Sequence, residues 1–150
     1  METTEKTIDV LNDLIKINTD RAEGFEKAAA DLDDANIDLK VLFDQSAEES
    51  RDYITKLAEY VGRNSGETET GSSIAGTLHR AWIDIKATFG GSDRHSILAE
   101  CERGEDAIKK AYKEALEDPE LTGEVRSVLA DQQQGINASH DRIKALRDAA

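Results

Sequence analysis

The sequence has very few residues that would interrupt a helix. Only one of its 150 residues is proline, Pro119, and aromatic residues make up 5% of the chain. Alanine, leucine, glutamate, aspartate and lysine are abundant, and this composition favours helices over sheets. A chain of 150 residues has the typical size of a single domain and is long enough to enclose a hydrophobic core. We therefore predict an all-α protein with a single domain, residues 1–150.

Cysteine and long apolar runs are also scarce. The one cysteine, Cys101, has no partner for an internal disulfide, which favours a reducing compartment. The first residues lack the basic start and apolar run of a secretory signal. No stretch approaches the roughly 18 consecutive apolar residues of a membrane helix. These features predict a cytoplasmic protein that does not bind membranes.

Positive charge is in short supply as well. Nineteen lysines and arginines stand against 32 aspartates and glutamates, giving a formal net charge of −13. Nucleic acids and anionic lipids repel such a surface, so we predict neither as a partner. The sequence contains no phosphate-binding glycine loop, Cys-x-x-Cys pair or nucleotide fingerprint. It predicts no catalytic residues and no organic cofactor.

What the chain does contain is a set of amphipathic helices. Apolar residues recur every three or four positions in four long segments, which is the pattern of helices packed in a bundle. Gly90 and Gly91 end a shorter amphipathic segment that carries Trp82. The face around Trp82 is typical of core packing, and a docking surface for a partner is the alternative. The predicted helices are residues 4–32, 36–62, 73–89, 93–117 and 122–148.

The long connection between the second and third long helices indicates the topology. Antiparallel bundles use short loops, whereas ferritin-like bundles have one long crossover at this point because the helices that it joins run parallel. A helix of 26 residues is about 39 Å long, and residues 62–92 are numerous enough to span it. We therefore predict a ferritin-like four-helix bundle with a short helix in the crossover. An antiparallel bundle with this segment folded over one end is the alternative.

Polar residues interrupt the apolar stripe near the middle of each long helix. They are Asn18 and Glu26 in the first helix, Ser46 and Glu49 in the second, Glu105 in the third, and Gln132 and Ser139 in the fourth. Glu105 is the strongest case, because it lies at a core position between Cys101 and Ile108. A buried carboxylate is costly unless it is paired or coordinates a metal.

Two interpretations of this polar belt remain open, besides simple solvation. The first is a hydrogen-bonded layer that fixes helix register and partner choice. The second is a reduced iron or manganese site with Glu26, Glu49, Glu105 and His140 as candidate ligands. The ligand set of a full di-iron site is incomplete, since Arg51 and Asn137 stand where a histidine and a glutamate would be needed. We favour the structural layer over the metal site.

Several segments together resemble a known family. They are residues 10–15, 20–21, 26–28, 80–87, 93–98, 102–106 and 139–143, of which Arg-Ala-Trp at 80–82 and Gly-Glu-Asp at 104–106 are the most specific. The chain resembles an uncharacterised bacterial family of ferritin-like four-helix-bundle proteins, a domain of unknown function. The resemblance implies a bacterial, cytoplasmic bundle and assigns no catalytic residues.

These observations lead to one expected function and two alternatives. We expect a non-enzymatic, self-associating protein, most simply a homo-oligomer, with a structural or stress-related role. The stress-related role rests on analogy with other ferritin-like proteins. The first alternative is a metal-binding protein that uses the four candidate ligands above. The second is an adaptor whose Trp82 helix docks a protein partner.

Overall fold

The computed structural model describes residues 5–32, 34–63, 93–121 and 123–150. Over these residues the chain forms four long α-helices: α1 (Glu5–Asp31), α2 (Ile37–Arg63), α3 (Arg94–Leu116) and α4 (Gly123–Ala149). A 3-10 turn, Asp34–Asn36, leads into α2. The prediction of an all-α fold with four long helices is confirmed over these residues. The predicted short helix, residues 73–89 with Trp82, lies outside the described residues.

Local sequence explains where α3 and α4 begin and end. Asp93 caps α3, and its carboxylate accepts a hydrogen bond of 2.8 Å from the Ser96 amide. Such a cap satisfies an N–H group that has no partner inside the helix. The helix ends at Leu116, before Pro119, whose ring and missing N–H do not fit a helix interior. Gly123 begins α4 with a φ of 63°, a backbone conformation that favours glycine.

The apolar side chains form two clusters, one at each end of the bundle. The first joins the beginnings of α1 and α4 to the ends of α2 and α3, around Leu14, Leu57, Tyr112 and Leu129. The second joins the opposite ends of the same helices, around Phe25, Phe43, Leu98 and Ile143. Polar side chains occupy the level between these clusters.

This distribution fixes the direction of each helix. Helices α1 and α4 run one way, and α2 and α3 run the other way. Helix α1 packs against α2 and α3, while α4 packs against α3 and α2, so neighbouring helices are antiparallel. Helices α2 and α3 are therefore parallel and diagonal to each other. Helix α2 ends and α3 begins at opposite ends of the bundle.

Within the part of the chain that the structure describes, no helix is both long enough and apolar enough to cross a lipid bilayer.

Candidate functional site

An arginine lies at the centre of the bundle. Arg21 of α1 is 0% exposed, and its side chain is the largest among the fully buried ones described. Its Nε lies 2.6 Å from Oε1 of Glu105, and its Nη2 lies 3.0 Å from Oε2 of the same carboxylate. Glu105 of α3 is also 0% exposed. The two side chains thus form a bidentate ion pair, the arrangement in which guanidinium and carboxylate match each other best.

The remaining donors of Arg21 reach the other two helices. Nη1 donates to the Ser50 hydroxyl at 2.8 Å and to the Ser46 carbonyl at 3.3 Å. Nη2 donates to the Ser139 hydroxyl on α4 at 3.0 Å. The carboxylate of Glu49 forms a further ion pair, with Oε1 at 3.0 Å from Nη1. One guanidinium thereby joins all four helices at the same level.

A chain of hydrogen bonds extends from this arginine toward the first apolar cluster. Ser50 donates to Asn18 at 2.9 Å, and Asn18 donates to the Tyr112 hydroxyl at 2.9 Å. Tyr112 in turn donates to the Gln132 side chain at 2.7 Å. We call the whole set the Arg21 layer. Its members are Asn18, Arg21, Ser46, Glu49, Ser50, Glu105, Tyr112, Gln132 and Ser139.

Charge pairing dominates the electrostatics of the layer. Burial by itself would lower the pKa of Arg21, but attraction and hydrogen bonding to Glu105, and then to Glu49, raise that pKa above its usual value. The arginine is therefore a permanent cation. Burial raises the pKa of Tyr112, so its hydroxyl stays protonated and keeps its donor role toward Gln132.

A cavity gives access to one edge of the Arg21 layer. It has a volume of about 240 Å³ and opens between α2 and α4. Its walls include Ser46, Glu49 and Ser139, which contact Arg21 directly. Gly135 also lines it, and a Cβ at this glycine would come within 1.9 Å of the Tyr53 hydroxyl oxygen. The absent side chain at Gly135 is thus what lets Tyr53 of α2 approach α4.

A second polar group lies between α3 and α4. Glu102, Asp106 and His140 each offer one potential ligand atom, and these atoms all lie within 4.8 Å of one another. His140 Nε2 is 2.6 Å from Asp106 Oδ1. Among the described residues this is the one such group of three histidine, cysteine or acidic side chains. We call it the His140 group.

Comparison with known families assigns most of the chain. Residues 6–118 match the family described as "Domain of unknown function (DUF2383)". The chain belongs to this family. The matched segment of the DUF2383 domain contains Arg21, Glu49 and Glu105, whereas His140 and Ser139 lie beyond it. No curated protein matches the chain.

The structure separates the four candidate ligands that the sequence suggested. Glu49 and Glu105 meet, but at Arg21. Glu26 forms an exposed ion pair with Arg51 at 2.7 Å. His140 belongs to the His140 group with Asp106, so it is the one residue shared between the predicted ligands and that group. The four therefore do not form one set of ligand atoms among the described residues.

Arg21 is the central residue that sequence reasoning missed. Asn18, Ala22 and Phe25 follow the stripe of α1 at helical spacing, and all three are buried. Arg21 lies three residues after Asn18 and four before Phe25, so its spacing fits the same stripe. This spacing was the available signal, but the charge of arginine places it on a solvated face by default.

Proposed function

We propose that this protein is a non-enzymatic, ferritin-like bundle protein with a structural role, in which an arginine takes the place of mid-bundle metal ions. The observation that carries the proposal is the bidentate pair between Arg21 and Glu105, with Glu49 as a second carboxylate. Ferritin-like di-iron proteins direct carboxylates from several helices toward metal ions at this level. Here the carboxylates surround a guanidinium that already supplies the positive charge.

The parallel direction of α2 and α3 supports the ferritin-like description. In this arrangement each helix has two antiparallel neighbours, and the diagonal pair is joined by the long connection. The connection, residues 64–93, contains enough residues to span the length of the helices that it links.

The role of the Arg21 layer in this proposal is to specify one alignment of the four helices. An apolar core tolerates sliding of one helix by a turn, because one leucine replaces another at similar cost. A buried charge that loses its partners is heavily penalised, so register shifts that separate Arg21 from Glu105 are disfavoured. The layer thus selects a unique packing, as polar core residues do in coiled coils.

Self-association forms the second part of the proposal. Ile37 and Val41 lie one turn apart at the start of α2 and are 59% and 53% exposed. Among the described residues, these two are the large hydrophobic side chains with high solvent exposure. We propose that this pair contributes to contact between copies of the chain. The net charge of −13 opposes such contact, so association should increase with salt, which screens repulsion. A stress-related role stays a prediction from analogy.

The test of the arginine proposal is exposure of the metal-free protein to ferrous iron in air. We expect iron oxidation no faster than in buffer alone. We also expect no bound metal ion whose retention requires Glu49. Glu49→Gln should therefore leave the metal content unchanged. Saturable iron oxidation by the wild-type protein that is lost in Glu49→Gln would refute the proposal. His140→Ala serves as the matched comparison, because His140 belongs to a different group of residues.

The test of self-association is the molar mass in solution by light scattering at low and high salt. We expect a species larger than the monomer that grows with salt and is lost in Ile37→Asp. A wild-type monomer at every salt concentration would refute this part of the proposal. Lys56→Asp, at an exposed position further along α2, controls for added negative charge.

A further inference from the structure

The His140 group combines ligand types that suit a transition-metal ion. Glu102 and Asp106 are four residues apart on α3, so they lie on the same face of that helix. His140 comes to them from α4. Two carboxylates and one imidazole are three ligands of the kind found in open metal sites, where water completes the coordination.

Both ring nitrogens of His140 face carboxylate oxygens. Nε2 is 2.6 Å from Asp106 Oδ1, and Nδ1 is 3.1 Å from Asp141 Oδ1. A neutral imidazole has one N–H group, so one of these contacts would set a nitrogen lone pair against an oxygen. A cation at Nε2 removes that conflict and leaves Nδ1–H to donate to Asp141. Ligand histidines in metal sites are commonly oriented by a carboxylate in this way.

Glu102 supplies a second, independent observation. Its side chain is nine-tenths buried. One oxygen pairs with Arg147, but the buried Oε2 has no hydrogen-bond partner in the described structure. A buried carboxylate oxygen without a partner is costly, and coordination of a metal ion would satisfy it.

We propose that Glu102, Asp106 and His140 bind one divalent first-row transition-metal ion, such as Zn²⁺ or Mn²⁺. The Asp106 side chain is 60% exposed, which gives an ion a route from solvent and lets this ligand move. Bonds near 2.0–2.2 Å bring the ligand atoms of a tetrahedral site to about 3.4 Å from one another. Binding would therefore draw together atoms that are now up to 4.8 Å apart and would lengthen the 2.6 Å contact between His140 Nε2 and Asp106 Oδ1. This site is separate from Arg21 and goes beyond the proposed structural function.

The experiment is calorimetric titration of the metal-free full-length protein with Zn²⁺ and, separately, with Mn²⁺. We expect saturable binding of one ion per chain for at least one of these metals. Asp106→Asn and His140→Ala should each weaken it on the order of 100-fold, and Asp141→Asn on the order of 10-fold, as expected for a residue that orients a ligand. His95→Ala is the matched control, because His95 is an exposed histidine of α3 outside the group.

Two further measurements keep the test independent of folding. Circular dichroism should show unchanged helix content in Asp106→Asn, whose side chain is exposed. Bound Mn²⁺ should broaden the His140 ring resonances in NMR spectra more than those of His95. The proposal would be overturned if neither Zn²⁺ nor Mn²⁺ bound at one ion per chain. It would also be overturned if His95→Ala and His140→Ala weakened binding equally. Either failure leaves the Arg21 proposal intact, since that proposal is tested with Glu49→Gln.

Discussion

Replacement of Arg21 by methionine should destabilise the protein severely. The substitution retains much of the side-chain volume but removes the cation, and Glu105 then remains 0% exposed with no opposite charge. Breaking a buried ion pair from one side costs about 3–5 kcal/mol. For a chain of this size, 1 kcal/mol corresponds to roughly 2–4 °C in Tm, so Tm should fall by roughly 6–20 °C.

Removing both charges should be far less harmful than removing one. A buried ion pair replaced by apolar residues of similar volume is often neutral in stability, because the desolvation cost of both charges disappears. We therefore expect Arg21→Met/Glu105→Leu to be more stable than Arg21→Met alone. The coupling free energy between the two sites should be about 2–3 kcal/mol, the upper part of the range found for residues in direct contact.

The assay is urea unfolding of the wild type, both single variants and the double variant, followed by circular dichroism at 222 nm. Arg103→Met is the matched control, because the Arg103 side chain is 54% exposed and pairs with Glu100 in the neighbouring turn. It should change the free energy of unfolding by less than about 0.5 kcal/mol. A loss below about 1 kcal/mol in Arg21→Met, or additive effects in the cycle, would refute the reasoning.

Two other predictions concern a close helix contact and an ion pair at the surface. Gly135→Ala should lower Tm despite the better helix propensity of alanine, since its Cβ would lie 1.9 Å from the Tyr53 hydroxyl oxygen. Tyr53→Phe should restore part of the loss, whereas Gly62→Ala, with no atom within 4 Å, should be neutral or stabilising. Hydrogen bonding to Arg94 lowers the pKa of Asp38 to about 2 from 3.8. The pair therefore contributes stability above pH 3.8 that is lost as pH falls through 2. An NMR titration of the Asp38 carboxyl in Arg94→Gln should show a pKa raised toward the ordinary value. An unchanged pKa in that variant would contradict the assignment.

The secondary structure follows from local features of the sequence. Helical periodicity is a property of neighbouring residues, so the stripes that define α1 to α4 could be identified without knowledge of the fold. The cap at Asp93 and the stop before Pro119 depend on the same short range of the chain. The polar residues at mid-bundle follow the same helical periodicity. Three of the residues predicted for the polar belt, Ser46, Glu105 and Gln132, are buried.

What these polar residues contact was beyond the reach of the sequence. Arg21 and Glu105 are 84 positions apart, and no periodic signal says which buried carboxylate will meet which donor. An arginine is stable in a core only if the tertiary structure supplies partners for its charge and its N–H groups. The sequence by itself therefore determined four amphipathic helices and a polar level between two apolar clusters. Only the tertiary structure decided that this level is organised around Arg21, and that His140 joins Glu102 and Asp106, because both depend on distances between helices.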